Sequence, residues 1–162
     1  MTSKMDENRE LLRHTLATLA YRGGKAMRDV PAHVAAFRLS DESRSPSEIL
    51  AHIGDLLDWA LAIAKGEQPW KESAPLSWDR DVERFHAALQ KLDDYLATDE
   101  PLGFPPEKLF QGPIADALTH VGQIAMLRRV AGAPMRGENY FKAEILAGRV
   151  GPVQQAPRVE FD

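Results

Sequence analysis

The chain has 162 residues, 44% of them hydrophobic and 27% charged, which excludes a disordered, collagen-like or disulfide-stapled protein. Its 20 Lys and Arg against 24 Asp and Glu leave a formal charge of -4, so no global positive field draws in a phosphate backbone and nucleic acid is not expected as a partner. Cysteine is absent; disulfides, thiolate nucleophiles and Cys-based zinc sites fall away, and any metal must be held by His, Asp or Glu.

A single helical domain over residues 1–162 is expected, long enough to bury roughly 70% of the surface its unfolded form exposes. The first ten residues are polar and charged where a signal peptide would carry an apolar stretch, and no run approaches the ~18 apolar residues of a membrane span. A cytoplasmic protein without a membrane partner is the expectation.

From residue 6 to about 28, Leu11, Leu12, Thr15, Leu16, Leu19, Ala20 and Met27 recur at the three-to-four spacing of an amphipathic helix. Gly23 and Gly24 inside it predict a bend or a close helix contact. Residues 29–44 read as a connector with room for a short helical turn. Ser45-Pro46-Ser47-Glu48 is a helix start, with Ser45 as cap, Pro46 at the first helical position and Glu48 completing a capping box. That helix runs to about Lys65, with Asp55 and Asp58 placed opposite its apolar arc.

A third helix starts at Ser77 or Asp79 and runs to about Ala97, with Val82, Phe85, Ala88, Leu89, Leu92 and Leu96 on one face. Residues 98–106 hold three prolines and a glycine, which bars extended regular structure. A fourth helix opens near Pro113 and ends near Ala131, before Gly132 and Pro134. A short additional helix at 139–147 closes at Gly148, and no sustained alternating pattern predicts a strand. Four long helices in one domain define an all-α, four-helix-bundle expectation, with the bundle over about 6–131 and a C-terminal extension over 132–162.

Chemistry concentrates on two of these helices. His52 sits at the edge of the apolar arc of the second helix, facing the bundle interior or its mouth. Asp116 and His120, four apart on the fourth helix, point the same way and can grip one ion from a single rigid segment. Each has a plainer reading. His52 can be a half-buried histidine with one backbone or water partner, and Asp116 can complement the helix dipole with His120 bonded to it. Taken together, a carboxylate and two imidazoles inside an apolar bundle are costly unless paired or holding a cation. Two His and one carboxylate on a divalent ion would leave open coordination positions, as in a catalytic site, with Gln123 orienting a ligand or bound water. Arg128 is the nearer of the Arg128-Arg129 pair to that side of the wheel. It is a candidate for holding an anionic substrate, although cations at a helix C-terminus are sufficiently explained by the dipole.

His14, His33 and His86 read as surface or partly packed histidines, Asp93-Asp94 and residues 79–84 as solvated charge, and Trp59, Trp70 and Trp78 as core or pocket wall. The segment 136–151 could fold back as a lid. No Ser/His/Asp arrangement or phosphate-binding glycine loop is present in the sequence.

The segments from Ser45 to Leu56 and from Asp116 to Arg128 resemble the two signature regions of the DinB/YfiT-like metalloenzyme superfamily, matching by helix order over about residues 8–131. The resemblance implies a four-helix bundle, commonly dimeric, that binds a divalent ion such as zinc or nickel through His52 and the Asp116/His120 pair. It implies thiol-dependent transferases and isomerases, using a low-molecular-weight thiol, as well as hydrolases. Many members carry His where this chain has Asp116, and Arg where it has Val121. An acidic residue at the first place occurs in members similar to mycothiol-dependent maleylpyruvate isomerase, and a carboxylate there shifts preference away from softer metals. The expectation is therefore a metal-dependent enzyme with a small-molecule substrate. The alternative is a non-catalytic dimeric bundle with a structural or vestigial metal site.

Overall fold

A computed structural model describes residues 4–162; the first three residues of the polar N-terminal stretch lie outside the described residues. The protein is mostly helical, with helices α1 (Lys4–Met27), α2 (Ala32–Ala35), α3 (Pro46–Ala64), α4 (Trp78–Leu96), α5 (Pro106–Leu109) and α6 (Ala115–Val130). Packing follows the apolar stripes. α3 lies against α4 and α6, and α1 packs on the same two helices, so Leu16, Leu19, Leu50, Ile53, Leu57, Phe85, Leu89, Leu92 and Ile124 share one buried core. No helix among the described residues is long and apolar enough to cross a membrane.

The starts of α3 and α4 follow from capping. Ser45 accepts the Glu48 N–H while the Glu48 carboxylate accepts the Ser45 N–H, and Ser77 accepts the Arg80 N–H, so orphan amide donors at both ends are satisfied. Gly23 marks a close contact, because a Cβ there would lie 2.7 Å from Cζ of the buried Phe85 ring. α3 stops at Gly66, whose φ of 89° suits glycine. Gly103 then approaches so closely that a Cβ on it would lie 2.1 Å from the Gly66 Cα, and its N–H donates to Ala64 O at 2.9 Å.

Several expectations are corrected. The fourth helix begins earlier than Pro113: α5 passes through a π-helical turn, Phe110–Ile114, directly into α6. The wider turn accommodates Pro113, which has no N–H to donate. Asp116 therefore stands well inside a helical stretch rather than in its first turn. The expected C-terminal helix is absent; residues 140–142 make one 3-10 turn, and Gly137–Glu138 pairs antiparallel with Glu160–Phe161 as a two-residue ladder, β1 with β2. Its residues are held by tertiary bonds instead. Glu138, with its side chain fully buried, accepts from Lys25 Nζ at 2.7 Å and from the Tyr21 hydroxyl, and Lys25 also donates to Glu160 at 2.8 Å. Burial and Glu138 together push the Tyr21 hydroxyl pKa upward. Tyr140 packs edge-on against Tyr21 with Arg22 over its ring, and Val150 O meets His86 Nδ1 at 3.2 Å. The tail is thus tied to α1 and α4, and no bond from it to His52, Asp116 or His120 is present among the described residues.

Asp81 and Asp93, expected as solvated charge, and Asp55, expected opposite the apolar arc, differ from expectation. Asp55, Asp81 and Asp93 are buried, each held by a partner: Asp55 by Arg84, Asp81 by the Leu76 N–H, and Asp93 by Arg13. They are internal anchors, not solvated charge.

Candidate metal centre

α3 carries His52 to the face it shares with α6, and α6 presents Asp116 and His120 one turn apart. His120 Nε2 lies 3.4 Å from Asp116 Oδ1, and His52 Nε2 lies 3.8 Å from Asp116 Oδ2. One donor atom from each of the three falls within 4.8 Å of the others. The imidazoles meet edge to face, their centroids 4.8 Å apart. The cluster sits at the mouth of the helical core, not deep within it, since the side chains of His52 and His120 are 16% and 12% exposed and that of Asp116 is 48% exposed. Asp116 therefore keeps part of its hydration.

One ring nitrogen of His120 is committed to a neighbour on its own helix. Gln123 Oε1 lies 2.7 Å from His120 Nδ1; an amide oxygen only accepts, so Nδ1 carries the hydrogen. In neutral His120 the lone pair of Nε2 then faces the Asp116 carboxylate. Burial, reinforced by Arg44 and by His120, pushes the His52 pKa below its ordinary value, while Asp116 opposes that shift. His52 is accordingly neutral near pH 7, with a lone pair available for an ion. With His120 neutral, its Nε2 lone pair and the Asp116 carboxylate face each other, an arrangement that a cation between them would relieve.

The surroundings come from the connection between α3 and α4. Trp70 packs against His52 with centroids 5.7 Å apart, and against Trp59 at the same separation. Glu72, Ser73 and Pro75 face Arg44, Glu48 and His52 across a cleft of about 250 Å³. The tryptophans divide: Trp70 is exposed but leans on His52, Trp59 packs against the bundle and lines a neighbouring cleft with Ile63, Phe104 and Gly112, and Trp78 donates its indole N–H to Met27 O at 3.1 Å.

Arg128 takes no part. It is buried, donating through Nη1 to Ala26 O at 3.0 Å and Arg28 O at 2.8 Å, and through Nε to Ala133 O at 2.9 Å. The guanidinium closes the end of α1 and is not turned toward a substrate. His14 and His33 are exposed, and His86 is bound to the tail, so none joins the cluster. Sequence reasoning missed the link from Arg84 through Asp55 to the Trp70 loop. Its one signal was Gly54, a mid-helix glycine marking close approach by another chain segment.

No family model, curated protein or solved structure matches this chain.

Proposed function

We propose that His52, Asp116 and His120 hold one divalent cation, zinc or nickel, and that the protein is a metal-dependent enzyme of the DinB/YfiT-like type, a four-helix bundle of α1, α3, α4 and α6. The observation that carries this reading is the convergence of one donor atom each from His52, Asp116 and His120 to within 4.8 Å of one another, with Gln123 holding His120 Nδ1. Four ligands about 2.05 Å from a tetrahedral zinc lie about 3.3 Å from one another. The shortest donor separation is 3.4 Å and all three donors lie within 4.8 Å of one another, so a small inward movement brings them to that spacing. Imidazole nitrogens suit zinc and nickel, and one carboxylate oxygen is compatible with either.

A bound ion would polarise a substrate oxygen, or lower the pKa of water or of a substrate thiol toward neutrality. The chain's own residues do the rest. Gln123 holds the His120 ring by Nδ1, Asp116 turns one oxygen toward each imidazole, and Trp70 covers one side of His52. Three protein donors leave positions for a ligand, and the resemblance to the DinB/YfiT-like family is what implies a hydrolase or a thiol-dependent transferase or isomerase acting on a small molecule with a low-molecular-weight thiol.

A second reading, a non-catalytic dimer with a structural ion, draws on the exposed Leu11 and Phe110, which border an apolar groove of about 480 Å³ between α1 and α5. Homodimerisation through such a face is compatible with either reading. Melting curves with and without EDTA, paired with consumption of a small thiol or ester substrate, separate them. The enzyme reading predicts nearly unchanged melting and consumption only with zinc or nickel restored. A large loss of melting temperature without turnover supports the dimeric module.

A further inference from the structure

The loop between α3 and α4 is fastened by a chain of contacts that begins at a glycine. Gly54 leaves a notch on α3 where a Cβ would lie 2.6 Å from Arg84 Nη1 and 2.8 Å from its Cζ. Arg84, from α4, fills that notch, donating through Nη1 to Ala51 O at 3.2 Å and through Nη2 to Asp55 at 2.7 Å and Asp58 at 2.8 Å. The Asp55 carboxylate is buried, and its second oxygen accepts the Ser73 N–H at 2.9 Å. Burial opposes ionisation of Asp55, but the bonds from Arg84 and Ser73 outweigh it and hold the carboxyl below the usual range.

Ser73 is three residues beyond Trp70, the side chain that leans on His52. The next bond along the loop, Leu76 N–H to Asp81, is nearer α4. The Asp55–Ser73 bond is therefore the side-chain anchor adjacent to Trp70. It also sets the wall that Glu72, Ser73 and Pro75 present to Arg44 and Glu48 beside His52.

From these contacts we infer that Asp55, itself held by Arg84, is a positioning residue that latches the 66–77 loop so that Trp70 closes one side of the His52–Asp116–His120 site. The functional meaning of the latch rests on the proposed metal centre, but its geometry is testable without any ion. The Trp70 ring current acts on the adjacent His52 ring, so the carbon-bound ring protons of His52 report the position of Trp70 by NMR in chelator-treated protein. Trp70→Leu supplies the reference without that ring current.

Ser73→Pro removes the N–H that Asp55 accepts, together with the hydroxyl, and fixes φ at that position; it leaves the buried Asp55–Arg84 pair whole, so it carries less folding risk than Asp55→Ala, and Ser73→Ala isolates the loss of the hydroxyl. Ser73→Ala keeps the N–H. In Ser73→Pro the His52 signals move most of the way to the Trp70→Leu positions and those of His86 stay in place; in Ser73→Ala they remain near wild type. Unmoved His52 signals in Ser73→Pro, or an equal movement in Ser73→Ala, overturn the latch. A parallel zinc titration by calorimetry separates the two readings: the latch predicts about tenfold weaker binding in Ser73→Pro with stoichiometry retained. A wild-type protein that takes up no zinc, yet shows the His52 response, refutes the metal centre and leaves the latch standing.

Discussion

Gln123 accepts a hydrogen bond from His120 Nδ1 at 2.7 Å, one turn along α6, and thereby decides which imidazole nitrogen faces Asp116. Removing the acceptor frees the ring to flip or change tautomer. Gln123→Ala is expected to weaken zinc or nickel binding by about 10- to 100-fold, the usual cost of losing a partner behind a metal-bound histidine, while melting changes little because Gln123 is exposed. Calorimetric titration of the variant checks this, and wild-type affinity would remove Gln123 from the account.

Stability of the metal-free protein depends on two histidines. Burial is the main cause that pushes His52 and His86 below the ordinary histidine pKa of 6.5, so the unfolded chain takes up protons first as pH falls. Unfolding free energy then rises with pH over the window below 6.5, is complete above it, and declines on acidification toward the folded-state values. The lowered carboxyls of Glu48 and Asp55 act in the same direction, but only nearer the carboxylate range. Urea midpoints in EDTA are expected to fall between pH 7.5 and 5.5, with a shallower fall in His86→Gln. Equal slopes in the two proteins would contradict the assignment for His86.

Gly103 lies against the backbone of Gly66, not against a movable side chain. Gly103→Ala is expected to cost about 2 kcal/mol or more, because backbone at the end of α3 must shift to admit the methyl group. Denaturant unfolding gives the value; a change within about 0.5 kcal/mol, the range of ordinary surface substitutions, would mean that the two segments are not packed as described.

Arg128 satisfies the last carbonyls of α1. Arg128→Met is expected to lose about 3 kcal/mol, since buried acceptors are left without a donor, yet to keep full metal content. Loss of metal with unchanged stability would return Arg128 to the site.

Much of this architecture was readable from spacing. The apolar recurrence in α1, α3 and α4, the Ser45–Glu48 box and the Ser77 cap are local signals, and they held because the cores of these helices obey local periodicity. Asp116 and His120 were legible for the same reason: four residues on one helix fix their separation. Asp55, Asp81 and Asp93 were not, because a carboxylate on a helical wheel looks solvated until its partner is known, and Arg13 and Arg84 reach Asp93 and Asp55 from other helices. Pro113 hid the continuity of α5 with α6, since a π turn removes the penalty that ordinarily makes proline a boundary. The C-terminal segment carried helical spacing, but Lys25, Tyr21 and Glu138 fasten it as a ladder and a single turn.

The most direct measurement is elemental analysis of untagged protein, with calorimetric titration of zinc and nickel into the stripped wild type and into His52→Ala and His120→Ala. One ion per wild-type chain is expected, with loss of stoichiometric binding in both variants and the helical content retained. Stoichiometric metal in both variants would contradict this expectation.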